Sequence, residues 1–115
     1  MAKINLLNSI PKIKRNFIIR SKKKTKEHIK ISKKFGKEYF DGKREFGYGG
    51  YKYDGRWKPV AKRIVHHYKL KKNNKVLDIG CGKGFLVKDL VDIGIDAYGI
   101  DISDYAIKNG KKEVS

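Results

Sequence analysis

The residues best suited to chemistry lie in one short run, Asp78-Ile79-Gly80-Cys81-Gly82-Lys83-Gly84, with a second aspartate at 101. Glycines at alternate positions let a backbone turn sharply and let a ligand approach where a Cβ would otherwise stand. Where such a run joins a strand to a helix, the first helical amides and the positive end of the helix dipole face whatever binds there. Asp101, 21 positions after Gly80, then falls at the end of the next strand, where a carboxylate can accept hydrogen bonds from both hydroxyls of a ribose. The pattern points to a nucleoside-containing cofactor.

Spacing narrows the choice. A dinucleotide loop, G-x-G-x-x-G, needs its last glycine at 85, and the chain has Phe85 there. The phosphate loop G-x-x-x-x-G-K-[ST] does not occur in the sequence. Asp78, two places ahead of the first glycine, would repel a pyrophosphate and suits a ligand bearing an ammonium or sulfonium group. S-adenosylmethionine is such a ligand.

The elements that must position these residues follow from the apolar rhythm. Val76-Leu77-Asp78-Ile79 reads as a buried strand (75–79), and the glycine loop leads into a helix through Phe85 to Val91 (80–93), ended by Gly94. Ala97-Tyr98-Gly99-Ile100-Asp101 reads as a second strand (96–101), and Ser103 can cap a last helix (103–112). Ahead of them, Pro59 suits a helix start, and Val60, Ala61, Ile64, Val65 and Tyr68 supply an apolar stripe over 59–69. His66 and His67 lie on that helix about 100° apart, too divergent for one metal site, so no metal site is expected. The order strand, loop, helix, strand, helix is the opening of a parallel α/β sheet. The expected fold class is α/β, a Rossmann-like parallel sheet that is incomplete, with its first two strands and flanking helices.

Residues 39–58 are rich in glycine and aromatics, from Tyr39-Phe40 to Tyr51-Lys52-Tyr53-Asp54-Gly55-Arg56-Trp57. They read as a loop whose rings pack on a neighbouring surface or on a ligand. Interleaved with Lys43, Arg44, Lys52, Arg56 and Lys58, those rings could also stack on single-stranded bases.

Charge is unevenly spread. The chain of 115 residues carries a formal charge of +17. Residues 1–75 hold 24 Lys+Arg against 5 Asp+Glu, whereas 76–115 hold 5 against 7. Residues 1–38 form a basic, lysine-rich extension, flexible or helical, in which Leu6, Ile10, Ile13 and Phe17 recur at helical spacing. Such an asymmetry can mark a nucleic-acid or anionic-surface partner, and it also arises from a lysine-rich composition alone. No apolar run approaches the roughly 20 residues of a membrane span. Cys81 is the single cysteine, which excludes a disulfide scaffold and a multi-cysteine zinc site and suits a reducing, cytoplasmic setting.

Val76-Leu77-Asp78-Ile79-Gly80-Cys81-Gly82-Lys83-Gly84, followed by Tyr98-Gly99-Ile100-Asp101-Ile102-Ser103, closely resembles motifs I and II of the class I S-adenosylmethionine-dependent methyltransferases. Gly49-Gly50-Tyr51-Lys52-Tyr53-Asp54-Gly55-Arg56-Trp57 looks like the lead-in of one bacterial subgroup of that family. The resemblance covers roughly 39–110. It implies that Gly80, Gly82 and Gly84 line the methionine and ribose of S-adenosylmethionine, that Asp78 sits near the methionine amino group, that Asp101 holds the ribose hydroxyls, and that Ile102 packs on the adenine. Cys81 and Lys83 occupy variable positions of the motif and receive no catalytic role. Such enzymes resemble a longer, seven-stranded sheet. Residues 39–115 are therefore expected to be the N-terminal part of a methyltransferase domain acting on an unknown acceptor. Alone that part is expected to be inactive and to need a missing C-terminal part or a partner chain. The alternative reading is a basic nucleic-acid- or anionic-surface-binding module with a vestigial Rossmann segment.

Overall fold

The computed structural model describes residues 4–10 and 25–111. Residues 4–10 form turns, and Ile13 and Phe17 of the expected N-terminal apolar stripe lie outside the described residues, as does residue 112 at the end of the expected last helix.

Part of the lysine-rich stretch is helical. Helix α1, Lys26–Ser32, is closed at its start by a capping box: Thr25 Oγ1 accepts from the His28 amide, and His28 Nδ1 accepts from the Thr25 amide. The aromatic stretch, expected as a loop from 39, begins with helix α2, Lys37–Asp41, and a 3-10 turn at Arg44–Phe46. Its glycines confine helix to single turns, and Phe40 anchors the first of them at 4% exposure.

Helix α3, Lys58–Tyr68, starts with Pro59 in its first turn and ends at Lys69 in the left-handed conformation. Strand β1, Lys75–Ile79, runs parallel to strand β2, Asp96–Ile100, in register from Lys75↔Asp96 to Ile79↔Ile100. Between them helix α4, Phe85–Asp92, makes the crossover. Ser103 caps helix α5, Asp104–Lys108, by accepting from the Ala106 amide.

The core lies between the helices and one face of the sheet. Ala61 of α3, Val87 and Leu90 of α4, Ala97 of β2, Cys81 and Ile95 are buried together, with Val65, Leu70, Val76, Leu86, Val91 and Ile107 packed around them. On the other face Leu77, Ile79, Tyr98 and Ile100 are exposed by 56%, 76%, 50% and 44%. Parallel sheets are ordinarily covered on both faces. The described residues thus build an incomplete Rossmann-like α/β layer, with the glycine loop at the carboxyl ends of its strands. Among them no helix is long and apolar enough to cross a membrane.

Candidate cofactor site

The glycine loop is held over the end of the neighbouring strand. The amides of Gly80 and Cys81 both donate to the Ile100 carbonyl, at 2.8 and 3.0 Å, which extends the parallel ladder into the turn. Gly80, Gly82 and Gly84 all have left-handed φ, at 78°, 59° and 76°, a conformation that only glycine adopts readily. A Cβ placed on Gly80 would meet nothing within 4 Å, so that side of the loop opens on free space. Gly84 is the N-cap of α4 and offers no side-chain cap, leaving first-turn amides facing the same end of the sheet.

Asp101 closes the loop from the other strand. Its Oδ2 accepts from the Gly82 amide at 2.7 Å and its Oδ1 from the Ser103 amide at 2.8 Å. Each carboxylate oxygen keeps a lone pair for a further donor. Asp78 is half-buried at the tip of β1; burial, and then the negative charge of Asp101, push its pKa up. Ile102 is exposed by 84% beside Asp101. The structure thus brings Asp78, Gly80, Gly82 and Asp101 to one end of the sheet, with Gly84 opening α4 and Ile102 projecting beside them.

Three further groups shape this region, and two of them, Lys83 and Asp41, carry no signal in the sequence. Lys83 is 7% exposed, and its Nζ donates to Asp41 Oδ2 at 2.7 Å and to the Tyr51 carbonyl at 2.9 Å. Asp41 also accepts from the Tyr51 amide at 3.0 Å and from the Tyr105 hydroxyl at 2.5 Å. Burial raises the pKa of Asp41, but these hydrogen bonds and the Lys83 charge outweigh it and bring the pKa down to about 2. The third group is aromatic. Tyr48 and Tyr51 stack with centroids 4.6 Å apart, and Tyr51 in turn packs on Phe85 at 4.7 Å. A Cβ on Gly82 would lie 3.1 Å from the Tyr51 ring. Burial, then Tyr48 and Asp78, push the Tyr51 hydroxyl up to about 12.

Other candidates have no part in the site. Cys81 is buried, and burial with the charges of Asp78 and Asp101 raises its thiol to about 11, so it is a protonated filler at neutral pH. His66 and His67 are exposed on α3, and among the described residues no three His, Cys, Asp or Glu side chains gather to hold a metal.

This geometry has counterparts in known sequences. The family model described as a methyltransferase domain matches residues 70–115, which span β1, the glycine loop and Asp101. Residues 70–115 are thus similar to a methyltransferase domain. A stretch of 39 residues is 51% identical to the probable tRNA (uracil-O(2)-)-methyltransferase of Caenorhabditis elegans, covering 34% of this chain and 7% of that protein. No solved structure matches. Methyltransferase domains of this kind typically take S-adenosylmethionine as donor, and the methyltransferase-like segment contains every glycine and carboxylate of the loop described above.

Proposed function

We propose that the methyltransferase-like segment binds S-adenosylmethionine and is the cofactor-holding part of a class I methyltransferase. One observation carries the reading: Asp101 is tied through Gly82 to a loop of left-handed glycines that is open at Gly80, and Asp78 is near enough to feel the charge of Asp101. The donor set suits this ligand. Lys83, the one cation within the loop, is turned away into its pair with Asp41, so the loop offers carboxylates and backbone amides rather than a free ammonium for a pyrophosphate. Asp101 would accept from the ribose hydroxyls, Asp78 would face the methionine ammonium, the glycines would admit the ligand backbone, and Ile102 would cover the adenine. When bound, S-adenosylmethionine supplies an electrophilic methyl group on a sulfonium.

The chain's own part is to bind and orient. The sheet face bearing Leu77, Ile79, Tyr98 and Ile100 is open. We therefore infer that methyl transfer needs further polypeptide over that face. The matched relative is named for tRNA, but the chain spans 7% of that relative's length; the basic excess of residues 1–75 makes a polyanionic acceptor the first one to test.

Calorimetric titration of the 115-residue chain with S-adenosylmethionine tests the proposal. One-to-one binding is expected, weakened by roughly tenfold or more in Asp101→Ala, since hydrogen bonds to a charged group contribute about 1.5–3 kcal/mol. Equal affinity in the variant would remove Asp101 from the ribose role.

A further inference from the structure

The lead-in segment ahead of α3 is fastened to the glycine loop more firmly than a loop cover requires. Lys83, in the middle of the loop, and Asp41, at the end of α2, form an ion pair at 2.7 Å, their side chains only 9% and 22% exposed. Such a pair is costly to desolvate and is retained where its geometry and extra hydrogen bonds are good. Here those extra bonds go to one place. The Lys83 ammonium also holds the Tyr51 carbonyl, and Asp41 also holds the Tyr51 amide, so both polar backbone groups of Tyr51 end on the pair. Tyr105 of α5 donates to the same carboxylate oxygen as Lys83, tying in the helix that follows Asp101. The object held in this way is the Tyr51 ring, which lies on Gly82 and stacks on Tyr48. The geometric link to the proposed site is Gly82, which the Tyr51 ring covers and whose amide Asp101 holds.

We propose that Asp41, Lys83 and Tyr105 form a latch that fixes the Tyr48–Tyr51 pair as a wall of the S-adenosylmethionine pocket, which makes Asp41 and Lys83 positioning residues for the cofactor. This rests on the reading given under Proposed function. It assigns the lead-in a role in the pocket, and it explains a buried lysine inside a glycine loop: the ammonium serves the wall and not a phosphate. The wall lies on Gly82, whose amide is held by Asp101, so loosening it also frees the loop that orients that carboxylate.

Hydrogen exchange and titration together test the latch, using the full chain and the variants Lys83→Met and Tyr105→Phe. Lys83→Met keeps an unbranched side chain out to the ε position and removes the ammonium; Tyr105→Phe removes one hydrogen bond and leaves the ion pair, so it still reports if Lys83→Met fails to fold. In the absence of ligand, amide exchange over residues 47–52 is expected to rise by roughly tenfold or more in Lys83→Met and by less in Tyr105→Phe. The peptide 86–91 of α4 should remain protected as a control for the fold. Affinity for S-adenosylmethionine should fall in the same order. Unchanged exchange over 47–52 in both variants would overturn the latch, and faster exchange with full affinity would overturn its role in the pocket. A wild-type chain that does not bind S-adenosylmethionine would instead defeat the cofactor reading and the wall's role with it, while the exchange result still decides whether the latch exists.

Discussion

Replacing Gly99 by alanine probes how closely strand β2 supports the glycine loop. Gly99 sits opposite Asp78 in the parallel register, on the face packed against α4. Its φ is not in the left-handed region, so an alanine there carries no backbone strain and its cost is contact alone. A Cβ at 99 would lie 2.7 Å from Cys81 Sγ, 2.9 Å from Cys81 Cβ and 2.9 Å from Val87 Cγ2. All three neighbours are held, since the Cys81 amide donates a hydrogen bond to the Ile100 carbonyl and Val87 is fully buried. Overpacking of this kind costs about 1–3 kcal/mol; at about 2 kcal/mol, a domain of this size should lose roughly 10 °C in Tm. Cys81→Ala removes only the nearest atom. That single variant should cost about 1 kcal/mol through the small void it leaves, and the double variant should be more stable than the sum of the two by roughly 1 kcal/mol. Relief stays partial because Cys81 Cβ and Val87 Cγ2 remain. Thermal unfolding followed by circular dichroism gives all four corners of the cycle. A Gly99→Ala chain that melts with wild type, or strict additivity with Cys81→Ala, would refute the close packing of loop on strand.

The remaining predictions concern the loop and its wall. Gly82→Val should abolish S-adenosylmethionine binding in a titration, because its left-handed φ strains a branched residue and its Cβ meets the Tyr51 ring at 3.1 Å; a variant with wild-type affinity would show that the ligand does not depend on this turn. Asp41 has a folded-state pKa of about 2 against an ordinary 3.8, so its contribution is complete above pH 3.8 and is lost as pH falls towards 2, amounting to about 2 kcal/mol at most. Protection over residues 47–52, measured against the intrinsic exchange rate at each pH, should therefore fall across that window, and Lys83→Met should flatten the response. Tyr53→Phe should cost about 1–3 kcal/mol by denaturant unfolding, since Tyr53 gives Asp89 its hydrogen bond at 2.5 Å and the other carboxylate oxygen, Oδ2, is buried without a partner among the described residues; an unchanged midpoint would mean that water reaches Asp89.

How much of this was legible in the sequence depends on distance along the chain. The strand at Lys75–Ile79, the turn after it and the cap at Ser103 come from neighbouring residues: a short β-branched and leucine run, alternating glycines, and a serine whose hydroxyl accepts from the amide three residues on. The incomplete Rossmann-like class follows from their order, and the motif spacing placed Asp78, Gly80, Gly82 and Asp101 close together because a parallel register aligns two strand ends. The Asp41–Lys83–Tyr105 cluster had no such local signature. Its members are 42 and 64 positions apart in pairs, and a lysine in a basic chain looks like any other surface lysine. The open sheet face was equally hidden: Val76-Leu77-Asp78-Ile79 reads as buried, yet exposure alternates along it, with Val76 packed on the core and Leu77 and Ile79 exposed. In the aromatic stretch the rings were expected to find a surface; the helical turns that present them depend on the packing of Phe40, not on local preference.

The central claim is that the glycine loop and Asp101 form a pocket for S-adenosylmethionine. Backbone-amide NMR of the labelled chain, titrated with S-adenosylmethionine and separately with a nicotinamide dinucleotide, tests it most directly. The account predicts saturable shifts at Gly80, Gly82, Gly84 and Ser103 with S-adenosylmethionine and none with the dinucleotide, whose pyrophosphate Asp78 repels. Shifts confined to the lysine-rich residues, or a stronger response to the dinucleotide, would contradict it.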